Sequence, residues 1–185
     1  GLTKVDPTPE TPKDEENTSR FTKDGTYSVD VALWNATSDK ESMAASAINS
    51  KAKIIVKDGK ATMYLSTKEM SFGSIKASLQ EFYIGSEQED YKNHSATIIE
   101  KDEQGNPTLW AFELPHENEY INVMMNPHVA MMGNMDLAAR LKIDYTTLTY
   151  VSDKIELEPN TKKDDQQENT NKDQTANKEN QTNEN

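Results

Sequence analysis

"DGTYSVDVALW", residues 24–34, decides the fold class. Tyr27, Val29, Val31 and Leu33 alternate with Ser28, Asp30 and Ala32. That period of two is the mark of a strand with one face in a core. Working outward, "AKIIVKDGKATMYLS" (52–66) reads as a hairpin turning at Asp58-Gly59, with Ile55 and the flanking apolar residues in one arm and Ala61, Met63 and Leu65 in the other. "SFGSIKASL" and "QEFYIGS" are short strands. "SATIIEKDEQGNPTLWAFELP" (95–115) is a second hairpin, turning at Gln104-Gly105-Asn106 and placing Trp110 and Phe112 on one face. "EYINVMMNPH" and "LAARLKIDYTTLTYV" make the last pair, with Ile121, Val123 and Met125 on the apolar face of the first. One short helix is expected in "NATSDKESMAASAINSKAKI" (35–54), capped by Thr37 or Ser38, with Met43, Ala47 and Ile48 on its apolar side. Short strands at regular spacing with one small helix near the front predict an all-β fold, a β-sandwich.

The two ends read differently. Residues 1–20 carry three prolines and many charges, and residues 156–185 form a polar tail; from 161 on it has no aromatic or branched apolar residue. Neither can bury enough surface to offset the entropy of ordering. The expected organisation is a disordered linker at 1–20, a domain at 21–155 and a disordered tail at 156–185, as in a piece of a larger protein. The net charge of −12 disfavours nucleic acid and anionic membranes as partners. No apolar run is long enough to span a bilayer. There is no cysteine, which excludes disulfides and thiolate chemistry. No fingerprint of a hydrolase, a P-loop or a dinucleotide site is present, and the histidines His94, His116 and His128 lie far apart, so an enzyme is not expected.

One stretch concentrates unusual chemistry. "NPHVAMMGNMDLAARL" (126–141) holds Met131, Met132 and Met135, directly after Met124 and Met125, so five of eight methionines fall together. Methionine fills irregular core gaps, and its soft thioether also ligates haem iron or copper(I). The last three sit among Gly133, Asn134 and Asp136, which are turn residues rather than core residues.

The run from Asp24 through Ser66, together with "ARLKIDYTTL" (139–148), closely resembles a NEAT (near-iron transporter) domain. The resemblance spans about Asp24 to Leu148. It implies an immunoglobulin-like β-sandwich on a Gram-positive cell surface, binding haem (iron protoporphyrin IX) in a groove between a short 3₁₀ helix and the final hairpin. The family's usual ligand is the first tyrosine of a YxxxY motif, supported by the second. Here Met135 and Ala139 stand at those positions. The resemblance is greatest to the domains of the streptococcal haemoprotein receptor, which look to use methionine.

On this reading Met135 and Met43 ligate the iron, Ser42 in "KESMAAS" contacts a propionate, and Val123, Met125 and Met131 line the pocket. His128, Met131 and Met132 are rival ligands. The implied function is haem relay within a cell-surface iron-acquisition receptor, with host haemoproteins such as haemoglobin and other relay proteins as partners. The alternative is a NEAT domain that grips haemoproteins or matrix proteins without holding haem.

Overall fold

The computed structural model describes residues 19–155. Residues 1–18 of the linker expected at 1–20, and the tail expected at 156–185, lie outside the described residues. Ser19 and Arg20 already belong to the folded part: the Ser19 hydroxyl and the Arg20 N–H donate to the Glu117 carboxylate at 2.7 and 2.8 Å.

Ten strands follow: β1 (Gly25–Asn35), β2 (Lys51–Lys57), β3 (Lys60–Ser66), β4 (Met70–Phe72), β5 (Ile75–Ala77), β6 (Glu81–Ile84), β7 (Thr97–Lys101), β8 (Pro107–Glu113), β9 (Tyr120–Asn126) and β10 (Leu137–Ser152). Eight form one antiparallel sheet in the order β6-β9-β10-β1-β2-β3-β8-β7, and β4 and β5 pair with each other. This sheet curls onto itself. Phe82 on β6 lies 5.9 Å from both Trp110 and Phe112 on β8, although these strands stand near opposite ends of the sheet. The seam is also hydrogen-bonded, by Ile84 N–H to the His94 carbonyl at 2.9 Å and Ala96 N–H to the Phe82 carbonyl at 2.8 Å. The result is the expected immunoglobulin-like β-sandwich.

The layers are joined by β1 and β10. In their register Asp30 faces Asp144 but Ser28 faces Thr149, so two steps on β1 match five on β10. The bulge lets β10 pass from one layer to the other. Thr147 fills the gap, its hydroxyl accepting the Asp30 N–H at 2.8 Å.

The alternation read in the sequence holds at β1, where Tyr27, Val29, Val31 and Leu33 are buried, and at β9, where Ile121, Val123 and Met125 join the core. The Asp58-Gly59 turn has left-handed backbone at both residues, φ 55° and 80°, as a tight two-residue hairpin requires. In β2, however, Ile54 and Val56 face the core, while Ile55 is buried outside that cluster.

Gly25 has a strict role. Its φ is 141°, and a Cβ there would lie 2.5 Å from the Ser152 carbonyl oxygen and 2.8 Å from the Tyr150 ring. Gly25→Ala is therefore expected to destabilise the domain by about 3 kcal/mol, from backbone strain and overpacking together. A denaturant midpoint corresponding to less than about 1 kcal/mol of change would contradict this.

The expected helix is reduced to a single 3₁₀ turn, Ala45–Ala47. Thr37 and Ser38 do not cap it. Their N–H groups donate to the Asn35 side chain at 3.0 and 3.1 Å, so Asn35 turns the chain instead. The buried residues here are Ala44, Ala47 and Ile48; Met43 is 76% exposed. Small alanines let the turn sit close against the sandwich, and the longer methionine is left outside.

Candidate functional site

Two loops emerge at one end of the sheet. The first follows β1. Residues 40–42 return alongside its last residues, with the Asn35 N–H donating to the Lys40 carbonyl at 2.7 Å and the Ser42 N–H to the Leu33 carbonyl at 3.1 Å. The Ser42 hydroxyl accepts the Ala44 N–H at 3.0 Å and keeps its own proton free to donate. Ser42 thus starts the 3₁₀ turn that buries Ala44 and Ala47 and leaves Met43 in solvent.

The second loop joins β9 to β10. A 3₁₀ turn at Ala130–Met132 ends at Gly133 in the left-handed region, followed by Asn134 with φ 52°. The two loops are neighbours because Asn35 pairs with Ala139 and Trp34 with Arg140. Arg140 reinforces this, donating to the carbonyls of Asn35 and Ser38 at 2.8 and 2.9 Å and pairing with Asp39 at 3.1 Å.

Seven of the eight methionines divide into two groups, and Met132 is half-buried. Met63, Met70, Met124 and Met125 are buried, at 2% exposure or less, and fill the interior. Met43, Met131 and Met135 are 76, 83 and 59% exposed. For those three, core filling is excluded. Val123 and Met125 share one strand face, and both are enclosed in the core at 1 and 0% exposure rather than standing on an open wall. Ala139 is likewise buried, opposite Val123. A cavity of about 530 Å³ opens beside the first half of the β9–β10 turn, lined in part by Ile75, Gln80, Pro127, Val129 and Met131. A larger one, about 650 Å³, lies by His94 and His116 and touches neither methionine loop. Among the described residues, soft donors reach solvent at the methionine end.

His128 is occupied. Its ring Nε2 meets the Glu81 carboxylate on β6, its backbone is left-handed at φ 56°, and its N–H donates to the Asn126 side chain at 2.8 Å. The Tyr83 hydroxyl donates to the same carboxylate. These bonds from His128 and Tyr83 hold the Glu81 carboxyl below its ordinary value.

A second acid, Asp136, was read in the sequence only as a turn residue. Tyr91 donates its hydroxyl to Asp136 at 2.5 Å, Asn126 its amide at 2.9 Å, and Lys92 pairs with it at 3.2 Å. Burial pushes this carboxyl up, but the bonds from Tyr91, Asn126 and Lys92 outweigh it and leave the group below its ordinary value. Conversely, the bond to Asp136 pushes the Tyr91 phenol up to about 12. The turn residues Asn134 and Asp136 were visible in the sequence; nothing local pointed to Asn126 or to Tyr91, 45 positions from Asp136.

Comparison with known proteins agrees with the geometry. The family model of the NEAT iron transport-associated domain matches residues 21–147. One similar solved structure is the NEAT5 domain of IsdX2, a B. anthracis hemophore, in complex with heme: 20% identity, 67% of this chain and 98% of that one covered, TM-score 0.54. Another is a glutamine-to-threonine variant of the same domain, also in complex with heme: 19% identity, the same 67% and 98% coverage, TM-score 0.54. At such identities the likeness establishes the fold. No curated protein matches the chain. The family model covers well over half of the sequence, and its residues are those of the sandwich and both loops: the chain belongs to the NEAT family of iron transport-associated domains.

Proposed function

We propose that this domain is the haem-binding module of a bacterial cell-surface haem and iron acquisition receptor, of the kind found in the streptococcal haemoprotein receptor. Met43 and Met135 hold the iron, and the haem is relayed to a partner. One observation carries this reading: Met43 and Met135 are exposed on adjacent loops at one end of the sheet, while four other methionines fill the core. Exposing thioethers in an acidic, hydrophilic chain gains nothing from burial, so a ligand is the better account of them.

The donor set fits haem as cargo. Thioethers are soft and neutral, so they favour ferrous iron and need no proton removed. Ser42 offers a hydroxyl proton to a propionate, its oxygen being already polarised by the Ala44 N–H. Ala139 stands where a supporting phenol would be, and a thioether at Met135 requires no such support. The fit of His128 as a ligand is poorer, because its Nε2 is engaged with Glu81. Loss of one electron from the ferrous iron to an oxidant outside the domain, such as dioxygen, would weaken the hold of soft ligands and favour release to an acceptor protein. Host haemoproteins such as haemoglobin are the donors, and other surface relay proteins the acceptors; no catalysis is involved.

A potentiometric titration of the loaded domain tests this. The expected midpoint lies well above that of a phenolate-held haem. A strongly negative midpoint would contradict methionine ligation. No uptake of haemin at all would favour the other reading of the fold, a module that binds proteins only.

A further inference from the structure

We propose that Asp136 is a positioning residue for Met135, fixing the turn that presents this thioether through a clamp made by Tyr91, Lys92 and Asn126; the inference rests on the haem-binding reading above. The clamp closes on both sides of Met135. The residue before it, Asn134, has its carbonyl bound by the Asn126 amide at 2.8 Å. The residue after it, Asp136, receives the same amide at 2.9 Å, the Tyr91 hydroxyl at 2.5 Å and Lys92 at 3.2 Å. Asn126 itself is 5% exposed, and its side-chain oxygen takes the His128 N–H at 2.8 Å, so one buried amide ties the start of the turn to its end. Tyr91 is braced in turn against the Tyr83 ring, 5.4 Å away edge to face.

The clamp matters because of what a thioether lacks. It has no charge and no directional hydrogen bond to orient it, so its place must be set by the backbone that carries it. At Asn134 that backbone is left-handed, a conformation asparagine adopts more readily than other residues with a side chain, and the bond from Asn126 to its carbonyl holds it there. Met131 contrasts with this. It is 83% exposed, and backbone bonds close its 3₁₀ turn, from Met132 N–H to Val129 and Gly133 N–H to Ala130 at 2.9 Å and from Asn134 N–H to Val129 at 3.1 Å. The clamp therefore selects Met135 over Met131 and Met132 as the ligand. It also attaches the ligand turn to Tyr91 and Lys92, in the connection between β6 and β7, far from it in sequence.

The test compares wild type with Asp136→Ala, Asp136→Asn, Tyr91→Phe and Met131→Leu, first free of haem and then loaded with haemin. In the haem-free proteins, hydrogen exchange of amides 128–136 is expected to speed up about tenfold or more in Asp136→Ala. The amides of Leu141 and Ile143 should stay as protected as in wild type. In the loaded proteins, low-spin bands are expected to be lost and haem dissociation to accelerate about tenfold in Asp136→Ala, with partial effects in Tyr91→Phe. Asp136→Asn, which keeps an acceptor for the Asn126 amide, should restore part of the signal, and Met131→Leu should match wild type. Faster exchange in Asp136→Ala with an unchanged spectrum and dissociation rate would overturn the proposal, as would loss of the bands in Met131→Leu. A wild type that takes up no haemin would overturn the haem reading itself, a failure seen before any variant is compared.

Discussion

Met135→Ala is expected to leave the domain as stable as the wild type while weakening haem binding about tenfold or more, equivalent to at least ~1.4 kcal/mol. The two halves of this result have separate causes. The side chain is 59% exposed, so truncation removes little buried surface and opens no enclosed cavity. Substitutions of that kind usually shift stability by no more than about 0.5 kcal/mol. The binding loss comes from the iron, which would keep one thioether where it had two. Thermal unfolding of the haem-free protein and haem-transfer kinetics read the halves independently. A variant destabilised by about 2 kcal/mol would mean that Met135 is structural after all. Unchanged transfer kinetics would assign the ligand to another residue.

The largest expected effect on the fold is at the seam. Phe82→Ala should destabilise the domain by about 3–5 kcal/mol, enough to remove much of the stability of a domain this size. Phe82 is fully buried, stacked on Phe112 with 18° between the ring planes and tilted 39° to Trp110. It is contributed by β6, and its partners by β8, which do not pair with each other, so its ring packs across the seam that the backbone bonds at His94 and Ala96 close at its edge. Trp110 cannot shift to fill the space without breaking its indole hydrogen bond to Thr67, 3.0 Å long and buried. Guanidinium unfolding should show the midpoint falling with the slope preserved. A loss below about 1 kcal/mol would mean that the sandwich closes without this ring.

How much of this was legible in the sequence depended on whether neighbours or distant partners decide the local structure. Tyr27 to Leu33 and Ile121 to Met125 alternate cleanly, and both strands formed as read, because burial of one face leaves a local pattern. The run Ile54-Ile55-Val56 has no alternation to read, so the sequence placed Ile55 and its flanking apolar residues in one arm without saying which of them face the core; Ile54 and Val56 do. The helix shortened to the 3₁₀ turn that the family resemblance implied, for a long-range reason. Residues 36–42 are held by the Asn35 side chain and by Arg140, which lies 105 positions away from Asn35, and this path leaves room only for one 3₁₀ turn. The methionine cluster was visible as a cluster. Its division into the buried Met124 and Met125 and the exposed Met131 and Met135 followed from where β9 ends, which sequence patterns fix poorly. The Asp136 clamp was invisible, since its central donor, Tyr91, comes from another connection of the sheet.

The central claim, iron held between Met43 and Met135, is tested most directly by absorbance titration with haemin. Ferric and dithionite-reduced spectra would be taken of the wild type, Met43→Ala, Met135→Ala and His128→Ala. The expected result is sharp low-spin bands in wild type that collapse in each methionine variant and survive in His128→Ala. Only the broad band of free haemin in wild type, or bands lost on replacing His128 and kept on replacing the methionines, would contradict it.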